Sequence, residues 1–127
     1  MKRALALVLF AFSALALAQA PQIKSGAAVY IEQMSGFETY LAAAMMRYDV
    51  PLVVVSDKEK ADYILKSNVN QIEHGEWETT SATITMIDLR TSQIVFAGST
   101  STNRYGIKGA AENCVEQLQQ FMKKHKK

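Results

Sequence analysis

Residues 50–65 read V-P-L-V-V-V-S-D-K-E-K-A-D-Y-I-L, and the state of the valine run inside them decides how the flanking segments connect. Pro51 has no amide to donate and ends any helix arriving from upstream. Leu52, Val53, Val54 and Val55 form an uninterrupted, mostly β-branched run, which predicts a strand buried on both faces or lying mid-sheet. Ser56-Asp57-Lys58-Glu59 has capping-box spacing, so Asp57 to Ala61 should make a single helical turn leading into the next strand.

Upstream, Ala27 to Met34 (A-A-V-Y-I-E-Q-M) alternates as a strand carrying Val29 and Ile31 on one face. Ser35-Gly36-Phe37-Glu38 is a second capping box, in which Ser35 would accept from a free amide and Glu38 would reach back. Phe37, Tyr40, Leu41, Ala44, Met45 and Tyr48 then draw one apolar stripe on a helix stopped by Pro51. A strand, a helix and a second strand in this order imply a crossover between parallel neighbours.

Downstream, Asp62 to Ile72 sets Tyr63, Leu65 and Val69 against Lys66, Asn68 and Asn70, so one face is wet. Ser81 to Leu89 sets Ala82, Ile84 and Met86 against Thr83 and Thr85. Gln93 to Thr102 adds a strand with Ile94 and Phe96 inward. Between the last two, Asp88 can accept from amides two and three residues on, Thr91 can do so more weakly, and Ser92 stands where a left-handed residue is needed. This is hairpin chemistry, and neither His74 nor His125 is close enough in sequence to activate Thr91 or Ser92 as a nucleophile. From Gly106 onward, Ile107, Ala111, Cys114, Val115, Leu118, Phe121 and Met122 share one helical face. The order is β-α-β-β-β-β-α. It predicts an α+β two-layer sandwich, a mixed sheet with both helices on one face and the Thr, Asn and Lys face left open.

The chain has 127 residues with 14 basic and 12 acidic side chains. Lys2 and Arg3, the apolar run Ala4 to Leu17 and the small residues after it have the order of a secretory signal peptide, and the run is too short to span a bilayer. Cleavage is expected after Ala18, because cutting after Ala20 would place Pro21 first. No Cys follows the apolar run, so a lipid anchor is not expected, and the mature chain should be periplasmic or secreted without a transmembrane segment. Removing Lys2 and Arg3 leaves basic and acidic residues in equal number, which disfavours nucleic-acid binding. Residues 19–26 should form a flexible lead and 27–127 a single domain with a Lys-rich end. Cys114 is the only cysteine, so no intrachain disulfide supports the fold.

The capped helix, V-P-L-V-V-V-S-D-K-E-K-A-D-Y-I-L and A-T-I-T-M-I-D-L-R-T-S-Q-I-V-F-A resemble the periplasmic α/β domain of CsgG-like secretion proteins, LpoB-type activators of penicillin-binding proteins and the TolB amino-terminal domain. The resemblance spans about Ala27 to Met122. It implies a non-catalytic cell-envelope domain that binds other proteins as an accessory to a larger assembly. This chain departs from those groups in lacking the lipobox Cys, in having Ser92 where Gly is usual, and in having no insertion suited to a channel.

Other segments carry weaker signals. Glu73 to Glu78 gathers His74 and three carboxylates around Trp77, but metal ligands usually come from rigid, separated elements, so a solvated loop is expected and no metal or cofactor. Trp77 could anchor a partner. Arg104 and Tyr105 precede the last helix, whose free amides could meet an anion. Cys114 should be a buried structural thiol, and Lys123 to Lys127 should complement the helix carbonyl end. No nucleophile-base order or phosphate loop can be assembled, so an enzyme is not expected. Two readings follow. One is a protein-binding domain using a strand edge or the open face with Thr83 and Thr85, with room for a homodimer; the other is a module for a small anionic ligand or glycan fragment using Trp77, Arg104 and Tyr105.

Overall fold

The valine run forms a strand, but at an edge. The computed structural model describes residues 22–103 and 105–125, and within them five strands and two helices follow the predicted order: β1 (Ala28–Ile31), α1 (Phe37–Arg47), β2 (Val53–Val55), β3 (Tyr63–His74), β4 (Trp77–Asp88), β5 (Ile94–Thr102) and α2 (Gly106–Lys124). The sheet order is β2-β1-β3-β4-β5. β1 is parallel to both β2 and β3, while β3, β4 and β5 are successively antiparallel. The fold is an α+β arrangement with a mixed sheet, as the patterning predicts.

The central placement expected for Leu52–Val55 is corrected. β2 is three residues long, has β1 as its only sheet neighbour among the described residues, and leaves Val53 55% and Val54 37% exposed. The reason is topological. β3 takes the other side of β1, and each later strand adds outward from β3 by a reversal, so no later strand reaches β2. A β-branched run reports strand preference and carries no information on which neighbours arrive later.

Both helices pack on the face bearing Val29, Ile31, Tyr63, Leu65, Ala82, Ile84 and Met86, and Leu41, Cys114, Val115 and Leu118 close the same core without exposure. Tyr40, read as part of the helical stripe, is 45% exposed at its margin. The Ser35–Glu38 capping box forms by half: Glu38 Oε1 accepts from the Met34 amide at 2.6 Å and the Gly36 amide at 3.0 Å. The N-cap is Gly36, which has no side chain to cap with, and Ser35 sits at φ 51°. α1 ends before Pro51, through Asp49 at φ 51° and a bond from the Val50 amide to the Met45 carbonyl, the reversal usually made by glycine. The turn over Lys58–Lys60 is capped by Asp57, whose carboxylate accepts from Glu59 at 3.0 Å, in place of Ser56.

The β3–β4 hairpin is longer than its patterning suggests. Each strand has 12 residues, and Gly75 at φ 74° with Glu76 makes the reversal. Glu73, His74, Trp77 and Glu78 therefore belong to strands, where a solvated loop was expected. At the other end of β4, a register shift beside Ile87 marks a bulge in β5. The bulge buries Val95 and leaves Ile94 60% exposed, which corrects the inward placement of Ile94; Phe96 stays inward against Met86.

Candidate functional site: the open sheet face

Strand alternation sends every second residue away from the helices. On β3 these are Ile64, Lys66, Asn68, Asn70, Ile72 and His74, and their partners on β4 are Ile87, Thr85, Thr83, Ser81, Thr79 and Trp77. β5 adds Ala97, Ser99 and Ser101 in register with Thr85, Thr83 and Ser81. The middle of this face is a field of hydroxyls and amides, which includes the predicted Thr83 and Thr85.

Two apolar features bound that field. At the end near the β1 strand, the registers Val55–Tyr30, Tyr30–Ile64, Ile64–Ile87 and Ile87–Ile94 align one residue from each of the five strands into a continuous row. Ile64 is 2% exposed beneath its neighbours, whereas Ile94 at one edge and Val53, the next open-face residue beyond Val55, are more than half exposed. Sequence reading missed this row because it read the face as uniformly wet. The signal was present in Tyr63-Ile64-Leu65 and Met86-Ile87, where consecutive apolar residues break strict alternation. At the hairpin end, His74 and Trp77 are cross-strand partners with stacked rings 4.3 Å apart. Trp77 is 53% and Ile72 48% exposed, so a small aromatic and apolar surface is presented to solvent. Alternation places Glu73 and its partner Glu78 on the opposite face from His74, so the strands separate the ligands that a metal would need together.

The other predicted site is assembled only in part. Tyr105 precedes α2 and is 71% exposed. It lines a shallow hollow of about 390 Å³ with Thr79, Ser101, Thr102, Asn103 and Asn113. Trp77 does not line it, and Arg104 lies outside the described residues.

In the Asp88 to Ser92 reversal the side chains of Asp88 and Thr91 accept from backbone amides, and Asp88 Oδ2 also lies 3.7 Å from the Arg90 guanidinium. Asp88 Oδ1 accepts from the Arg90 amide at 2.8 Å, the Asp88 carbonyl accepts from the Ser92 amide at 2.8 Å, and Thr91 Oγ1 accepts from the Gln93 amide at 3.3 Å. Ser92 is left-handed at φ 61°. A second hollow, of about 260 Å³, lies beside it between Lys24, Asp62, Asp88 and Arg90. Asp62 Oδ2 accepts from the Ala28 amide at 2.9 Å and the Asp62 carbonyl accepts from the Leu89 amide at 3.0 Å, so this corner ties β1, β3 and β4 together. Cys114 is fully buried with its thiol 3.9 Å from the Ala82 carbonyl, and burial pushes that thiol up to about 11.

No family model matches the chain, and no curated protein is similar to it in sequence. Solved structures share its fold. The PelC dodecamer from Paraburkholderia phytofirmans is 13% identical, over 79% of this chain and 91% of that one, at a TM-score of 0.56. The hypothetical protein CT253 from Chlamydia trachomatis is 8% identical, over 78% of this chain and 99% of that one, at a TM-score of 0.58. TolB from Acinetobacter baumannii is 12% identical at a TM-score of 0.52, with 79% of this chain matching 29% of that protein. At these identities the likeness is one of fold. It extends the TolB part of the sequence resemblance to three dimensions, whereas a CsgG-like relationship is not shown. Among the described residues no helix is long and apolar enough to cross a membrane.

Proposed function

We propose that this protein is an exported, non-catalytic domain of the bacterial cell envelope that binds a protein partner through the open face of its sheet. The observation that carries this reading is the five-strand apolar row Val55, Tyr30, Ile64, Ile87 and Ile94, buried at Ile64, half-buried at Val55, Tyr30 and Ile87, and open to solvent at its Ile94 end. An open sheet face has no need of such a row for solubility, and buried apolar surface drives most protein association. The hydroxyl field beside it would serve as a polar rim, and Trp77 as a peripheral aromatic anchor. Export, with the leader removed after Ala18, belongs to the same proposal and rests on residues 1–18.

The test is co-purification of the tagged protein, expressed with its own leader in its native host, after mild crosslinking of the envelope fraction. Ile94→Lys and Thr85→Lys place a charge on the face without entering the helix-covered core. Both variants should keep the native circular dichroism spectrum and lose the stoichiometric partner. A partner retained equally by both would overturn the open-face reading.

A second reading has its own support in the polar hollow around Tyr105, which could take a small anionic ligand or glycan fragment. A thermal shift produced by a wall fragment or small anion, and removed by Tyr105→Ala or Arg104→Ala, would favour it.

A further inference from the structure

β5 is the long outer strand of the sheet, with β4 on one side and, among the described residues, no strand on the other. In an antiparallel ladder, successive residues turn their amide and carbonyl alternately toward the partner strand and away from it. Ser99 turns its pair away from β4, toward α2, and there meets one side chain. The Ser99 amide donates to Gln117 Oε1 at 3.2 Å, and Gln117 Nε2 donates to the Ser99 carbonyl at 2.7 Å. This two-bond exchange is the one that a residue of a neighbouring strand would make. Gly98 permits it, because a Cβ there would stand 2.8 Å from Gln117 Oε1. Asn113, one helical turn earlier, adds a bond from Nδ2 to Thr100 Oγ1 at 3.3 Å.

We infer that Gln117 is a strand surrogate that closes the β5 edge, and that the strand it keeps out is β5 of a second copy of this chain. An unprotected edge is a template for pairing, and proteins cover such edges with side chains, charges or bulges. β5 carries a bulge at its start, but from Ala97 to Thr102 it is regular in register with β4. It has no charged residue and no proline, so neither of those edge defences is present. Ala97 and Ser101 turn their backbone groups the same way as Ser99. Ser99 lies midway between them, so occupying it interrupts the row at the point where an antiparallel pairing of two β5 strands would be centred. The inference stands independently of the open-face reading, because the edge and the face are different surfaces.

Gln117→Leu keeps a helix-compatible side chain of similar length and removes both bonds. Amide hydrogen exchange at Ser99 should then quicken by about tenfold, the effect of losing one ordinary hydrogen bond, while Gly98 and Thr100, which face β4, keep their protection. Light scattering after size exclusion should show a larger species than the unmodified chain gives at the same concentration. Adding Ala97→Pro, which removes an outward amide without touching the β4 ladder, should restore the original size. Unchanged exchange at Ser99, faster exchange without a change in size, or enlargement indifferent to the proline would each overturn the inference.

Discussion

Cys114 and Ser92 show how single residues register the fold. The Cys114 thiol is held neutral because burial disfavours its thiolate. It should therefore resist a thiol-specific chromogenic reagent at pH 8 in the native protein and react at once in denaturant; equal rates in the two states would contradict its burial. The pH consequence has a definite sign. The folded thiol titrates near 11 against an ordinary value of 9.0, so its contribution to stability is intact below about pH 9 and is lost as pH rises toward 11. Ser92 at φ 61° carries left-handed strain of about 1–2 kcal/mol. Because glycine relieves that strain but has a more disordered unfolded chain, Ser92→Gly should stabilise the protein by no more than about 1 kcal/mol, measurable by urea denaturation.

Among the elements, the start of α1 separates two residues that the sequence treats as reciprocal partners. Glu38 alone accepts the amides at Met34 and Gly36, and these bonds lower its carboxyl below the ordinary 4.5, the Met34 bond most. Glu38→Ala should lower the melting temperature, whereas Ser35→Ala should change it little; the reverse order would restore the predicted capping box. The Glu38 contribution is present above the ordinary carboxylate value and fades as pH falls through its lowered one. The β3–β4 hairpin shows a different limit of local reading. Its outer residues are exposed on both faces, Gln71 and Glu73 on one and Ile72, His74 and Trp77 on the other, and a strand without a buried face has no inward-outward alternation to read. Trp77 looks like a loop residue for that reason alone.

For the molecule as a whole, Trp77 is the only tryptophan, and it is half exposed on the open face. Its fluorescence should be solvent-like in the native state, be readily quenched by acrylamide and change little on unfolding. Binding over the hairpin end should shift it to the blue and shield it from the quencher. A native emission already blue and protected would mean that the open face is covered by the chain's own residues or by another copy.

The composition, the alternation of Tyr63, Leu65 and Val69 with Lys66, Asn68 and Asn70, and the helical stripes of Phe37–Tyr48 and Ile107–Met122 determined the element order and the face to be buried. These signals are local, and each element carries its own apolar period. The hairpin chemistry at Asp88, Thr91 and Ser92 was legible for the same reason. Strand neighbours were not, because pairing depends on segments far apart in the chain. Only the tertiary structure placed Val53–Val55 at an edge, turned Ile94 outward at a bulge, lined up Tyr30, Ile64 and Ile87 across three strands, and brought Gln117 to Ser99. Each of these follows from registers between separate strands or from packing between a strand and a helix, which no single stretch of sequence encodes.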